Sequence, residues 1–182
     1  MEWINPYHLQ VASFLLINVI LGVSIHVTLS TGQLSLGNAG FMSIGAYTAA
    51  LLATQHGVPI PAGIALGSLL AGAAGVLVGI PSLRLSGVYL AIATLGFGEV
   101  IRAVAINWES VTGGAVGIAA IPQMGRVLLA EARALGFSPD SLGLRPNQFI
   151  SLSVFLILLF CSALTVAFFL RLGRTRVGRA YA

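Results

Sequence analysis

Five apolar runs, each close to the length that crosses a lipid bilayer, constrain the fold of this 182-residue chain more than any other feature. A helix needs about 20 residues to cross, and in lipid it must satisfy its own backbone hydrogen bonds. The runs are continuously apolar instead of alternating, which favours helices over a β-barrel. They cover residues 11–29, 34–53, 62–80, 88–106 and 149–170. The sequence therefore predicts an all-α, polytopic membrane protein with about five transmembrane helices.

The composition agrees with a chain whose solvent is lipid. Hydrophobic residues make up 57% of the sequence and charged residues only 8%, whereas about a quarter of an average soluble domain is charged. The cations are all arginines, and no basic stripe is interleaved with aromatic residues, which argues against nucleic acid as a partner. The positive charge is instead concentrated near the C-terminus.

That arginine cluster predicts the orientation of the chain, because cytoplasmic flanks of membrane helices carry an excess of positive charge. No acidic residue accompanies it, so we expect the C-terminus in the cytoplasm, with residues 171–182 as the start of a cytoplasmic loop. Counting back places the N-terminus and residues 107–148 outside. The cluster consists of Arg171, Arg174, Arg176 and Arg179.

The outer segment 107–148 is the one extended hydrophilic stretch of the sequence. Within it, residues 126–135 predict a short interfacial helix with Leu128, Ala132 and Leu135 on one side.

Residues 30–40 are too polar and too rich in glycine for a helix that faces lipid. Non-helical backbone is tolerated at membrane depth where it lines a cavity, and interrupted helices recur at transport sites. A plain cytoplasmic turn followed by a helix with small residues explains the pattern equally well. The sequence leaves both interpretations open.

The third run carries small residues at every fourth position, which places them along one helix face. Such ridges let the backbones of membrane helices approach closely, so we expect tight packing there, with a sliding surface as the less favoured alternative. The ridge consists of Gly63, Gly67, Ala71, Gly75 and Gly79.

The fourth run contains the only ionisable pair within the predicted helices, Glu99 and Arg102. Residues three apart are neighbours on a helix surface. We expect the two charges to neutralise each other near the outer interface, although intramembrane charges often mark a functional site.

No motif for enzyme chemistry is present. The sequence lacks an HExxH zinc motif, a GxSxG nucleophile elbow and a GxxxxGK[ST] phosphate loop, and its three histidines are widely separated. We therefore expect no catalytic residue, no metal site and no cofactor bound by this chain.

Four blocks of the sequence resemble the LivM-like permeases, the membrane subunits of branched-chain amino-acid ABC importers. They occur in the family's order across almost the whole chain. Where family members often have histidine after the second glycine of the first block, this chain has Asn38. The blocks are GQLSLGNAGF (32–41) followed by GAYTA (45–49), LRLSGVYLAIATLGFGEVIR (83–102), NWESVTGG (107–114) followed by Gly117-Ile118 and Ile121-Pro122, and RVGRA (176–180).

The resemblance implies a heteromeric importer. The expected partners are a related permease, two cytoplasmic ATPases that bind ATP, and an external substrate-binding protein in a bacterial or archaeal cytoplasmic membrane. The expected cargo is a branched-chain amino acid or a relative such as urea or a short amide. Members usually have one more helix before residue 5 and several after the arginines, so we expect this chain to be the front part of a permease.

A zwitterion that crosses lipid needs polar partners, and broken helix ends supply them. The residues predicted nearest the pathway are Gln33, Ser35, Asn38, Ser43 and Tyr47. Two alternatives remain: a secondary transporter or channel, and a membrane fragment that does not transport.

Overall fold

A computed structural model describes residues 6–30, 32, 35–82, 84–134 and 145–174. All regular elements in these ranges are helical, which confirms the predicted all-α membrane fold. The helices are α1 (Pro6–Ser30), α2 (Asn38–Gln55), α3 (Ile60–Ser82), α4 (Val88–Asn107), α5 (Glu109–Thr112), α6 (Met124–Ala134) and α7 (Pro146–Arg174), with a 3₁₀ turn at Gly114–Val116. The chain divides into two compact units, Thr28–Pro122, and Met1–Val27 with Gln123–Ala182.

Four of the described helices, α1, α3, α4 and α7, are long and apolar enough to cross a membrane. They correspond to four of the five predicted runs. The remaining run forms α2, an 18-residue helix that starts at Asn38 and contains several small and polar residues. That α2 also crosses the membrane therefore stays a prediction.

Large apolar side chains lie mostly on the outside of the described structure, as expected for a protein whose helices face lipid or other membrane helices. The buried hydrophobic residues are Ala53, Leu90, Ala91 and Ala105, of which three are alanines. Close packing in this chain therefore depends on small residues more than on bulky ones.

In the unit that contains the N-terminus, α6 packs on α7. A Cβ added at Gly125 would lie 2.5 Å from Ile150 Cγ2, so the glycine allows this contact. Helix α6 matches the predicted interfacial helix within two residues at each end, and its Leu128 is half-buried. Ala132 and Leu135 are predicted to share that face, but the structure does not describe their side chains.

Helix α7 continues through Arg174, past the apolar run that ends at residue 170. The segment predicted to open a cytoplasmic loop therefore begins as helix. Arg176 and Arg179 lie outside the described residues.

In the unit Thr28–Pro122, α2 and α3 pack in antiparallel directions along the small-residue ridge. Gly67 faces Gly45, and Gly63 faces Ala49 one turn further along α2. A Cβ added at Gly67 would lie only 2.5 Å from the Gly45 carbonyl oxygen, so the two backbones touch where both residues lack a side chain.

The ridge is not uniform along α3. Ala71 lies beside Gly45, and Gly75 lies beside the Phe41 ring, with its nearest neighbour 3.9 Å from an added Cβ. At Gly79 no atom of the described structure lies within 4 Å of an added Cβ. The tight contact is therefore confined to the half of the ridge around Gly63 and Gly67.

We predict that Gly67→Ala destabilises the protein by about 1–3 kcal/mol, because the new methyl group overpacks against a backbone carbonyl. Gly79→Ala is the matched control, since the same change on the same helix meets open space. Thermal unfolding in detergent, followed by size-exclusion chromatography, should show a loss for Gly67→Ala alone. Equal stability of the two variants would contradict the observed packing.

Candidate functional site

The chain enters α2 through non-helical backbone that lies against the middle of α4. The Leu36 N–H donates to Thr94 Oγ1 at 2.9 Å, and Thr94 itself is only 4% exposed. The Thr94 hydroxyl in turn lies 2.9 Å from the Leu90 carbonyl oxygen, to which it can donate. The Leu36 backbone N–H thus finds its acceptor on a neighbouring helix.

This contact places the start of α2 well inside the helical layer. Thr94 is six residues beyond the start of α4, which corresponds to roughly 9 Å along the helix axis. On the other side, α3 continues for seven residues beyond Gly75, the residue next to Phe41. Whether this non-helical backbone interrupts a helix at membrane depth or forms a plain turn before a helix stays a prediction.

Helices α2 and α4 run in the same direction and pack closely near the start of α2. A Cβ added at Gly40 would lie 3.0 Å from the Phe97 ring and 3.2 Å from the Gly98 Cα. The rings of Phe41 and Phe97 have centroids 4.9 Å apart. Beyond this contact, the two helices leave a cavity of about 400 Å³ along their length.

The cavity brings together residues that the sequence analysis selected for different reasons. Ser43 and Tyr47, predicted near a substrate pathway, face it from α2, and Glu99 and Arg102 face it from α4. Its other lining residues are Leu36, Ala39, Leu95, Gly98, Ala105 and Ile106. Two polar residues and two opposite charges therefore share one largely apolar cavity.

The Glu99–Arg102 pair remains open to its surroundings. Arg102 Nη1 donates to Glu99 Oε2 at 3.3 Å, and the side chains are 70% exposed for Arg102 and 64% for Glu99. The Arg102 side chain therefore reaches back to Glu99, one turn earlier on α4, which also lines the cavity. It does not extend forward to the end of α4 at Asn107.

The other predicted pathway residues do not line this cavity. Ser35 and Asn38 lie at the start of α2, and Gln33 lies outside the described residues. The Ser35 hydroxyl lies 3.5 Å from the Gly37 nitrogen, from which it can accept a hydrogen bond. The Asn38 Nδ2 is buried and has no hydrogen-bond acceptor within the part of the chain that the structure describes.

Two threonines that the sequence analysis did not select hold this unit together. The Thr94 hydroxyl accepts a hydrogen bond from the Leu36 N–H, just before α2 begins. Near the end of α4, the Thr112 hydroxyl donates to the Ala105 carbonyl at 2.6 Å. Thr112 also accepts from the Gly114 N–H at 3.2 Å. A threonine in an apolar helix is a weak signal by itself, because its hydroxyl is usually satisfied by its own helix.

The turn after Thr112 explains the glycines of the third sequence block. Gly113 has φ +75°, and its α-carbon lies against the Gly117 carbonyl, where a side chain has no room. The chain can reverse at this point because glycine tolerates the left-handed conformation.

We predict that Thr94→Val costs about 0.5–1.5 kcal/mol, because it removes the acceptor of the partly buried hydrogen bond from the Leu36 N–H while preserving side-chain shape. Hydrogen–deuterium exchange at the amides of residues 36–41 should accelerate as the start of α2 loosens. Thr54→Val is the control, since the Thr54 hydroxyl contacts only carbonyls of its own helix. Similar exchange in both variants would show that the contact between Leu36 and Thr94 does not hold α2 in place.

Comparison with known proteins identifies the family. A family model described as "Branched-chain amino acid transport system / permease component" matches residues 7–182. The chain is 38% identical over 180 residues to the high-affinity branched-chain amino acid transport system permease protein LivM of Escherichia coli (strain K12), covering 94% of this chain and 42% of that protein. It is 45% identical over 115 residues to LivM of Salmonella typhimurium (strain LT2), covering 63% of this chain and 27% of that protein.

No solved structure matches the chain. The chain spans less than half the length of the relatives it matches. The predicted resemblance is nevertheless confirmed, because the family model covers nearly the whole sequence. The chain therefore belongs to the permease component family of branched-chain amino acid transport systems, a family of multi-pass membrane proteins and not of enzymes.

Proposed function

We propose that this chain acts as a permease subunit of an ATP-driven importer for branched-chain amino acids or related small zwitterions and amides. The family match over residues 7–182 carries the proposal. The cavity between α2 and α4 supports it, since polar groups in an apolar helical unit suit a path for a small polar substrate.

The energy for transport is expected to come from partner chains. The sequence has no phosphate-binding loop, so ATP would bind to two cytoplasmic ATPase subunits. A related permease subunit would complete the membrane part, and an extracytoplasmic binding protein would deliver the substrate. ATP binding would drive transport by favouring one conformation of the permease pair over another.

The orientation proposed here follows from the arginines at the end of α7. Arg171 is exposed on the helical extension beyond the apolar run, and three more arginines follow within eight residues. The positive-inside rule then places this end in the cytoplasm of a bacterial or archaeal cell and the N-terminus outside.

We expect single cysteines to report this orientation in a Cys161→Ser background. A cysteine at Arg174 should react with an impermeant maleimide only from the cytoplasmic side, because it follows the last span. A cysteine at Gln55, exposed at the end of α2, should react only from outside. The reverse pattern in right-side-out and inverted vesicles would overturn the orientation.

Uptake measurements distinguish the proposed importer from its two alternatives. In proteoliposomes that contain the permease with its ATPases, partner permease and binding protein, leucine uptake should require ATP and binding protein. It should persist when ionophores collapse the ion gradients, because the driving force is ATP.

A secondary transporter or channel would instead take up leucine along an ion or substrate gradient without ATP. A membrane fragment that does not transport would show no uptake under either condition. Either result would reject the importer.

A further inference from the structure

We propose that Glu99 and Arg102, together with Ser43 and Tyr47, form a binding site for the charged end of a zwitterionic α-amino acid. In this site the Arg102 guanidinium would receive the substrate carboxylate, and the Glu99 carboxylate would receive the substrate ammonium group. The inference rests on the proposed function. It narrows the substrates of the proposed importer from amino acids and neutral amides to zwitterions alone.

The charged pair has unused hydrogen-bonding capacity that faces the cavity. Its two side chains share one hydrogen bond of 3.3 Å, whereas a guanidinium carries five N–H donors and a carboxylate accepts several hydrogen bonds. Both side chains are mostly exposed and both line the cavity. A ligand can therefore reach each charge without first unpacking a buried contact.

The spacing of the two charges suits a zwitterion. In an α-amino acid the nitrogen and the carboxyl carbon are bonded to the same Cα and lie about 2.5 Å apart. Glu99 and Arg102 likewise present opposite charges side by side on adjacent turns of one helix, with Arg102 Nη1 3.3 Å from Glu99 Oε2. Each substrate charge then meets an opposite protein charge, which compensates for the water that it loses in an apolar cavity.

The facing wall supplies hydroxyl groups and apolar surface. Ser43 and Tyr47 lie one turn apart on α2, and neither hydroxyl has a hydrogen-bond partner among the described residues. Leu95 and Ile106 flank the charges on α4, where an aliphatic side chain can pack. The volume of about 400 Å³ lies within the usual range for small-molecule sites.

Mutual neutralisation of the two charges, the expectation from sequence, is the competing explanation. It requires only that the charges cancel, so a neutral pair of glutamines would serve equally well. A zwitterion site requires the charges themselves and discriminates against ligands that lack either one.

The test follows protection of a cysteine that faces the cavity. Ala39→Cys, in a Cys161→Ser background, would be alkylated with N-ethylmaleimide in the assembled permease complex, with and without leucine. Leucine should slow the reaction, because bound substrate covers the cavity. Leucinol lacks the carboxylate and 4-methylpentanoate lacks the ammonium, so each should need at least about tenfold higher concentration for equal protection.

Substitutions then locate the site. Protection by leucine should disappear in Glu99→Gln/Arg102→Gln and should weaken several-fold in Tyr47→Phe, because each change removes a substrate partner. Tyr89→Phe is the matched control, since Tyr89 lies on α4, is exposed and does not line the cavity. A cysteine at Gln55 should react at the same rate with or without leucine.

Three results of the protection experiment would overturn the site: no protection by leucine with the native pair, equal protection by leucinol or urea, or full protection in the double glutamine variant. The comparison of leucine with its analogues uses the protein with native Glu99 and Arg102, so it tests the site even if the double variant fails to assemble. ATP-dependent uptake that is unchanged in the double variant would reject the site and leave the proposed function standing. Protection that depends on the pair, without any ATP-dependent uptake, would support the site and reject the importer.

Discussion

The close approach of α2 and α3 at Gly67 and Gly45 is the contact on which the rest of this unit depends. Between membrane helices there is no hydrophobic driving force, because lipid tails are as apolar as the side chains they would replace. Helix α2 is less apolar than its neighbours. It packs on the backbone of α3 on one side, and on the Phe97 ring and the Gly98 backbone of α4 on the other. This placement turns Ser43 and Tyr47 toward the cavity.

Interrupting a helix inside a membrane leaves backbone groups that lipid cannot satisfy. In this chain two threonine hydroxyls form hydrogen bonds with backbone groups near the ends of helices. Thr94 accepts the Leu36 N–H where α2 begins, and Thr112 bonds to the Ala105 carbonyl where α4 ends. The buried side-chain amide of Asn38 is a further polar group at the start of α2, and its Nδ2 has no hydrogen-bond acceptor among the described residues. Irregular backbone and buried polar groups therefore occur together at the start of α2.

Family membership and geometry contribute different parts of the functional conclusion. The match to a permease component gives the class of protein, and the relatives are named as branched-chain amino acid permeases. The geometry shows that Glu99 and Arg102 pair through one hydrogen bond and stay exposed beside Tyr47. This shared position beside the cavity is the observation on which the proposed recognition site rests.

The sequence by itself determined the helical membrane class, the family and most helix bounds, because these follow from apolar run length and from local motifs. It identified Glu99 and Arg102 as neighbours, since spacing along one helix is enough for that. Only the tertiary structure decided that this pair shares a cavity with Ser43 and Tyr47, and that Thr94 receives the start of α2. Those residues are more than 50 positions apart in the sequence. Helical periodicity is a local property and contains no information about which face of one helix meets another.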